Sequence, residues 1–139
     1  MKLLKKTILI FILLTNVLLA KSDYFNEGVN LFNEKKFKEA KFKFEQDIVF
    51  NPKSELSYLY LSKIFNKLDQ KKLEEQNLNT VVLLNPKNEE AIYNLAKLKL
   101  SSSDYEKSRE LNNKLSAICK KFCGKNSKLK IEIENLSKK

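Results

Sequence analysis

Residues 24–52 read YFNEGVNLFNEKKFKEAKFKFEQDIVFNP, and residues 58–86 read YLYLSKIFNKLDQKKLEEQNLNTVVLLNP. The second stretch repeats the first at a spacing of 34 positions. Asn51-Pro52 falls on Asn85-Pro86, Tyr24 on Tyr58, Gly28 on Ser62, Leu31 on Phe65, Phe44 on Leu78 and Phe50 on Leu84. A fixed period of this length, with two helical runs in each unit, predicts stacked helix–turn–helix hairpins and an all-α solenoid. Small Gly28 lets the first helix of the unit approach the second closely, and Ala40 does the same from the other side. Tyr24, Leu31, Phe37 and Phe44 fill the space between them. Pro52 ends the second helix, because it has no N–H and displaces the preceding residue from helical geometry.

The second unit keeps Tyr58, Leu61, Ser62 and Phe65 on one helix and Leu78, Val81 and Leu84 on the next. It departs where Glu74 replaces the small residue in phase with Ala40, and where Lys71 replaces Phe37. The third unit is degraded. Ile92, Leu95 and Ala96 stay in phase and Asp104-Tyr105 opens a second helix, but Lys99, Asn112 and Lys120 occupy apolar or proline positions. Leu111, Leu115, Ile118 and Phe122 give that helix a shifted apolar stripe. Gly124 reads as a helix stop, after which Asn126-Ser127 is expected to cap a last helix. Leu129, Ile133 and Leu136 line one side of it, and Ile131 breaks the pattern in favour of a strand.

Tyr24-x-x-Glu27-Gly28-x-x-Leu31, followed by Ala40-x-x-x-Phe44 and Pro52, resembles a tetratricopeptide repeat, over about residues 23–121. The resemblance implies three such units at about residues 21–54, 55–88 and 89–122, with a solvating helix at about 126–138, wound as a right-handed superhelix. It further implies a non-enzymatic binding module whose concave groove takes an extended peptide or a helix of another protein. The groove-facing candidates are Phe25, Asn26, Val29, Phe32 and Asn33, then Leu59, Tyr60, Lys63, Asn66 and Lys67, then Tyr93, Asn94 and Lys97. Asn amides can bond a peptide backbone, aromatic rings offer apolar area, and lysines attract carboxylates. An acidic or C-terminal peptide with hydrophobic anchors fits that set. A competing expectation is that Phe25, Val29 and Phe32 simply pack within the stack. The full Lys/Asn/Arg set with which cytosolic chaperone-binding relatives clamp a terminal carboxylate is absent.

Composition narrows the chemistry. The chain has 139 residues, one domain's worth, and contains only two glycines and two prolines, so few turns are expected to need special backbone geometry. It has no histidine, which removes Ser-His and Cys-His nucleophile pairs and imidazole ligands. Two cysteines alone cannot complete a structural zinc site, and no Gly-rich loop cradles a phosphate. No cofactor, metal or catalytic residue is expected. Cys119 and Cys123 can form a disulfide only where the helix end is distorted, and two thiols or a bridge to a partner are the alternatives.

The formal net charge is +10, but its distribution points away from nucleic acid. Lys2, Lys5 and Lys6 precede an apolar run of 14 residues, Thr7 to Ala20, with Ala20-Lys21-Ser22 after it. That run is short of the roughly 20 residues needed to span a bilayer comfortably. A basic start, a short apolar core and small residues beyond it describe a secretory signal peptide over residues 1–22. Cleavage before Asp23 would remove four lysines and lower the charge from +10 to +6. An uncleaved anchor through residues 7–20 is the alternative. The expected product is an extracytoplasmic domain, residues 23–139, most consistent with a bacterial periplasm. A second functional reading is a basic surface for anionic lipid or cell-wall polymer, built on Lys35, Lys36, Lys38, Lys41 and Lys43.

Overall fold

The structure is a computed structural model that describes residues 23–138; the expected signal peptide and its cleavage site lie outside those residues. Seven helices follow one another among the described residues: α1 Tyr24–Asn33, α2 Phe37–Phe50, α3 Glu55–Lys67, α4 Lys71–Leu84, α5 Glu89–Ser101, α6 Tyr105–Ile118 and α7 Cys123–Leu136. No strand occurs among the described residues. The helices pair as α1 on α2, α3 on α4 and α5 on α6, each hairpin packs on the next, and α7 closes the end against α6 and α5. The chain is an all-α solenoid of three hairpin units and a final helix.

The repeat governs details that composition hides. The turn inside each hairpin carries one residue in the left-handed region, and these are Lys35, Asp69 and Ser103, again 34 positions apart. Each belongs to a paired-bond helix stop: Lys36 N–H donates to Leu31 O, Gln70 to Phe65 O and Asp104 to Lys99 O, all at 2.9 Å. The expectation that few turns need special geometry is therefore corrected, since three do, and none has a glycine there. Capping is uneven. Asp23, Asn88 and Asp104 accept backbone N–H bonds at the starts of α1, α5 and α6, whereas Lys36, Ser54 and Gln70 make no such side-chain bond.

A second periodic device joins successive units. Glu55 Oε1 accepts from Asn85 Nδ2 and Asn88 Nδ2, both at 2.9 Å. Thirty-four residues on, Glu89 Oε2 accepts from the backbone N–H groups of Lys121 and Phe122, at 2.9 and 2.8 Å. The first residue of each of these helices thus ties down the turn that leads out of its own unit.

The apolar interior forms two clusters. Ala40, Phe44, Leu61, Ile64 and Phe65 form the smaller, with Phe25, Val29, Leu31, Phe32, Phe37, Ile48 and Tyr60 packed against it. Leu59, Leu78, Val81, Ile92, Leu95, Leu111, Leu115, Leu129 and Ile133 belong to the larger, which runs through the remaining helices. Helix α3 contributes to both.

The C-terminal part differs from expectation. Helix α6 stops at Ile118 rather than continuing through Phe122, because Cys119 adopts extended backbone, φ −61° and ψ 140°. Phe122 turns back onto Tyr93, ring centroids 5.5 Å apart. Gly124 does not stop a helix: it lies in the first turn of α7 with no left-handed φ. Asn126 is not a cap either; it is buried within α7, and its Nδ2 donates to Ser116 Oγ. Ile131 lies on the solvent side of that helix, 59% exposed, while Leu129 and Ile133 are buried in the larger core and Leu136 packs against it. Cys119 and Cys123 are joined as a disulfide, Cα atoms 5.3 Å apart, across the α6–α7 turn and not within one regular helix.

Candidate binding groove

A cleft of about 480 Å³ opens between α3 and α5 and is floored by α4. Lys63, Asn66 and Lys67 line it from α3, Tyr93, Asn94 and Lys97 from α5, and Phe32 at its α1 edge. Seven of the thirteen groove candidates are therefore brought together. Facing residues on α3 and α5 stand one period apart, because these are the first helices of adjacent units.

The other six are placed elsewhere. Phe25, Val29 and Tyr60 pack on the smaller core along with Phe32. The Tyr60 ring stacks on Phe44 at 4.9 Å and meets Phe25 and Phe32 edge-on at 5.9 and 5.2 Å. Packing within the stack thus accounts for Phe25, Val29 and much of Phe32. Leu59 is a correction: it is 4% exposed, in the larger core, because its side of α3 faces the second and third units. Asn26 is exposed and donates to Asp23 Oδ2 at 2.7 Å, an N-terminal capping contact. Asn33 is exposed at the end of α1 and does not line the cleft.

Sequence reasoning missed the floor. Ser62, Asp69, Lys71, Glu74, Glu90, Leu98 and Ser101 also line the cleft. Glu74 stands out: it occupies the phase of Ala40 and Ser108, yet is only 5% exposed. Asn66 Nδ2 donates to both of its carboxylate oxygens, at 3.1 and 3.2 Å. Burial pushes the Glu74 carboxyl above the ordinary carboxylate range, and the Asn66 bond pulls it partly back. The signal was the break in repeat phase itself: a carboxylate where the hairpin wants a small residue must reach outward, toward the cleft.

The rim is basic and partly uncommitted. Lys63 pairs with Glu90 at 2.8 Å and lies over the Tyr60 ring at 4.9 Å. Lys97 lies 6.0 Å from the Tyr93 ring centre, and Lys125 reaches the same ring at 5.6 Å. Lys67 and Lys97 make no ion pair among the described residues, and the Asn94 amide makes no hydrogen bond among them. By contrast, three of the five lysines of the basic stretch at 35–43 are paired: Lys36 with Glu34, Lys41 with Glu45 and Lys43 with Glu27. That surface is a mixed-charge one. Among the described residues no His/Cys/Asp/Glu group has the arrangement to hold a metal ion.

No family model matches the chain, and no curated protein matches it. Solved structures do. The chain is similar to the first TPR domain of Spaghetti (RPAP3) bound to an HSP90 peptide, with a TM-score of 0.73 at 14% identity, over 82% of this chain and 90% of that one. It is similar to the TPR2B domain of yeast Sti1 in its complex with pHsp70, with a TM-score of 0.76 at 13% identity, covering 82% and 95%. It is also similar to the type III secretion chaperone SycD of Yersinia enterocolitica in complex with a peptide of the translocator YopD, with a TM-score of 0.73 at 13% identity, covering 84% and 92%. Matched periods, hairpin turns and whole-domain superposition agree: this chain has the fold of a tetratricopeptide repeat domain.

Proposed function

We propose that this chain is an exported, non-enzymatic scaffold that holds a peptide or helix of another protein in the cleft between α3 and α5. The observation that carries the reading is a set of polar groups, Lys67, Lys97 and the Asn94 amide, gathered around Tyr93 in one concave cleft with no ion pair or hydrogen bond among the described residues. An extended ligand needs backbone hydrogen-bond partners, an apolar surface and counter-charge, and this cleft presents all three. The lysines favour an acidic segment or a chain end. Of the proteins of the same fold named above, two have a peptide of another protein bound and one is in complex with pHsp70, which supports the reading by analogy of architecture. Export rests on the basic, apolar and small-residue order of residues 1–22. The mature protein then belongs to the bacterial envelope, in the periplasm if the segment is cleaved before Asp23, or held at the inner membrane by residues 7–20 if it is not.

The test is site-specific photocrosslinking in intact cells. A crosslinking residue in place of Tyr93 should give a discrete protein adduct. The same residue in place of Leu83, exposed on α4 away from the cleft, should give none. Charge reversal at Lys67 and Lys97 should reduce the Tyr93-position adduct about tenfold. Equal labelling from both positions, or none from the cleft, refutes the proposal. N-terminal sequencing of the fractionated protein decides between a cleaved leader and an anchor.

A further inference from the structure

The turn between α6 and α7 differs chemically from the two turns with which it is in phase. Helices α2 and α4 give way to Asn51-Pro52 and Asn85-Pro86, whereas α6 gives way to Cys119-Lys120. The Cys119–Cys123 bond fastens this third turn. Its two sulfurs have unlike surroundings. Cys119 is half-buried against the larger core, at the C-terminal end of α6. Cys123 is exposed and is the first residue of α7, a helix of 14 residues. Lys120, Lys121 and Lys125 flank it, all exposed. Glu89, the acid that reaches this turn, directs its carboxylate at the N–H groups of Lys121 and Phe122.

These surroundings set the two thiolates apart. A thiolate on Cys123 meets the positive end of a helix, which lowers a thiol pKa, and Lys120, Lys121 and Lys125 neighbour it along the chain. A thiolate on Cys119 meets the negative end of α6 and apolar side chains, both of which raise it. Accessibility follows the same order.

We propose that the Cys119–Cys123 disulfide is a thiol–disulfide exchange site, with Cys123 as the sulfur exchanged with an external dithiol and Cys119 as the resolving sulfur. A thiolate of the dithiol attacks Cys123 Sγ; a bond forms between them, the Sγ–Sγ bond breaks, and Cys119 leaves and takes a proton from water. The second thiol of the dithiol, after losing its proton, attacks its own partner sulfur in the mixed disulfide and releases Cys123 as the stabilised thiolate. The dithiol ends as a disulfide, and its two electrons reside on Cys119 and Cys123. In reverse, the Cys123 thiolate attacks an external disulfide and Cys119 resolves the intermediate. Neither cysteine lines the cleft, so the exchange and the peptide-binding reading stand or fall separately.

The purified protein provides the test. Cys119→Ser leaves Cys123 as its one thiol, and Cys123→Ser leaves Cys119. With oxidised glutathione as probe at neutral pH, Cys119→Ser should form its mixed disulfide about tenfold faster, and the gap should narrow as pH approaches about 8.5. The wild-type bond should be reduced by dithiothreitol without denaturant. Acid-quenched reactions of wild type with reduced glutathione should carry the adduct on Cys123 by peptide mapping. Equal or reversed rates, an adduct on Cys119, or a bond that resists dithiothreitol until urea unfolds the protein would overturn the proposal. Should either serine variant lose its helical circular dichroism, the wild-type adduct position alone decides.

Discussion

A Cβ placed on Gly28 would lie 2.7 Å from Cε1 of Phe44, with Cδ1 at 2.9 Å and Cζ at 3.0 Å. The Phe44 ring cannot step aside, because it is fully buried, stacks on Tyr60 and abuts Phe25. Gly28→Ala gains up to about 1 kcal/mol of helix propensity but incurs overpacking of roughly 1–3 kcal/mol. The expected net loss is about 1 kcal/mol, measured by urea unfolding. Shortening the ring in the same molecule should relieve the clash, so Gly28→Ala combined with Phe44→Leu should destabilise by less than the sum of the two changes.

The left-handed turns offer the opposite sign. Lys35 and Ser103, at φ 62° and 60°, hold a conformation that disfavours a Cβ by roughly 1–2 kcal/mol. Glycine at either place removes that cost and adds some chain entropy to the unfolded state. Lys35→Gly and Ser103→Gly should each stabilise by about 0.5 kcal/mol, read as a higher urea midpoint with an unchanged slope.

Glu74 and Glu89 should pull the pH dependence of stability in opposite directions. Burial raises the Glu74 carboxyl pKa in the folded state, so the unfolded chain loses that proton first. Its contribution to stability therefore falls as pH rises from about 4.3 through the folded value. Glu74→Gln should stabilise at neutral pH, by on the order of 1 kcal/mol, and the advantage should disappear in acid below the unfolded pKa.

For Glu89 the folded carboxyl is lowered, chiefly by the Phe122 N–H and further by the neighbouring backbone groups and Lys120. Its contribution is fully present above about pH 4.3 and is lost as pH falls through the folded value. Glu89→Gln should flatten the acid limb of a stability–pH curve, where Glu74→Gln flattens the limb above it. Thermal melts of the two variants from below about pH 4 up to neutral pH distinguish them.

The hairpin period was legible because it is written in residue types with direct steric meaning. Asn51-Pro52 and Asn85-Pro86 mark helix ends, and Gly28 against Phe44 marks a close approach. The left-handed turns were not legible, because Lys35, Asp69 and Ser103 share a backbone angle and no side-chain property. Leu59 was misread for a related reason: Leu59 and Tyr60 are neighbours on one helix, and only the stacking of the second unit decides which of them is enclosed. The groove walls at Lys63, Asn66, Lys67, Tyr93, Asn94 and Lys97 could be counted along the repeat. Its floor at Glu74 could not, since that residue belongs to the second helix of its unit and reaches the cleft only because it is too large for the place in phase with Ala40. At the C-terminus, Gly124 and Asn126 looked like signals for a boundary that the Cys119 turn sets earlier.

The division of the interior along α3 has a consequence for motion. Leu61, Ile64 and Phe65 anchor the first hairpin, while Leu59, a short way along the same helix, anchors everything that follows. The first hairpin can therefore lift away at the cost of one cluster while the other stays closed. Amide hydrogens of α1 and α2 should exchange with deuterium as one early group in dilute urea, ahead of those in α5 and α6. A molecule that opens from one end in this way could thread onto a long or folded client from the side, without waiting for a free chain terminus.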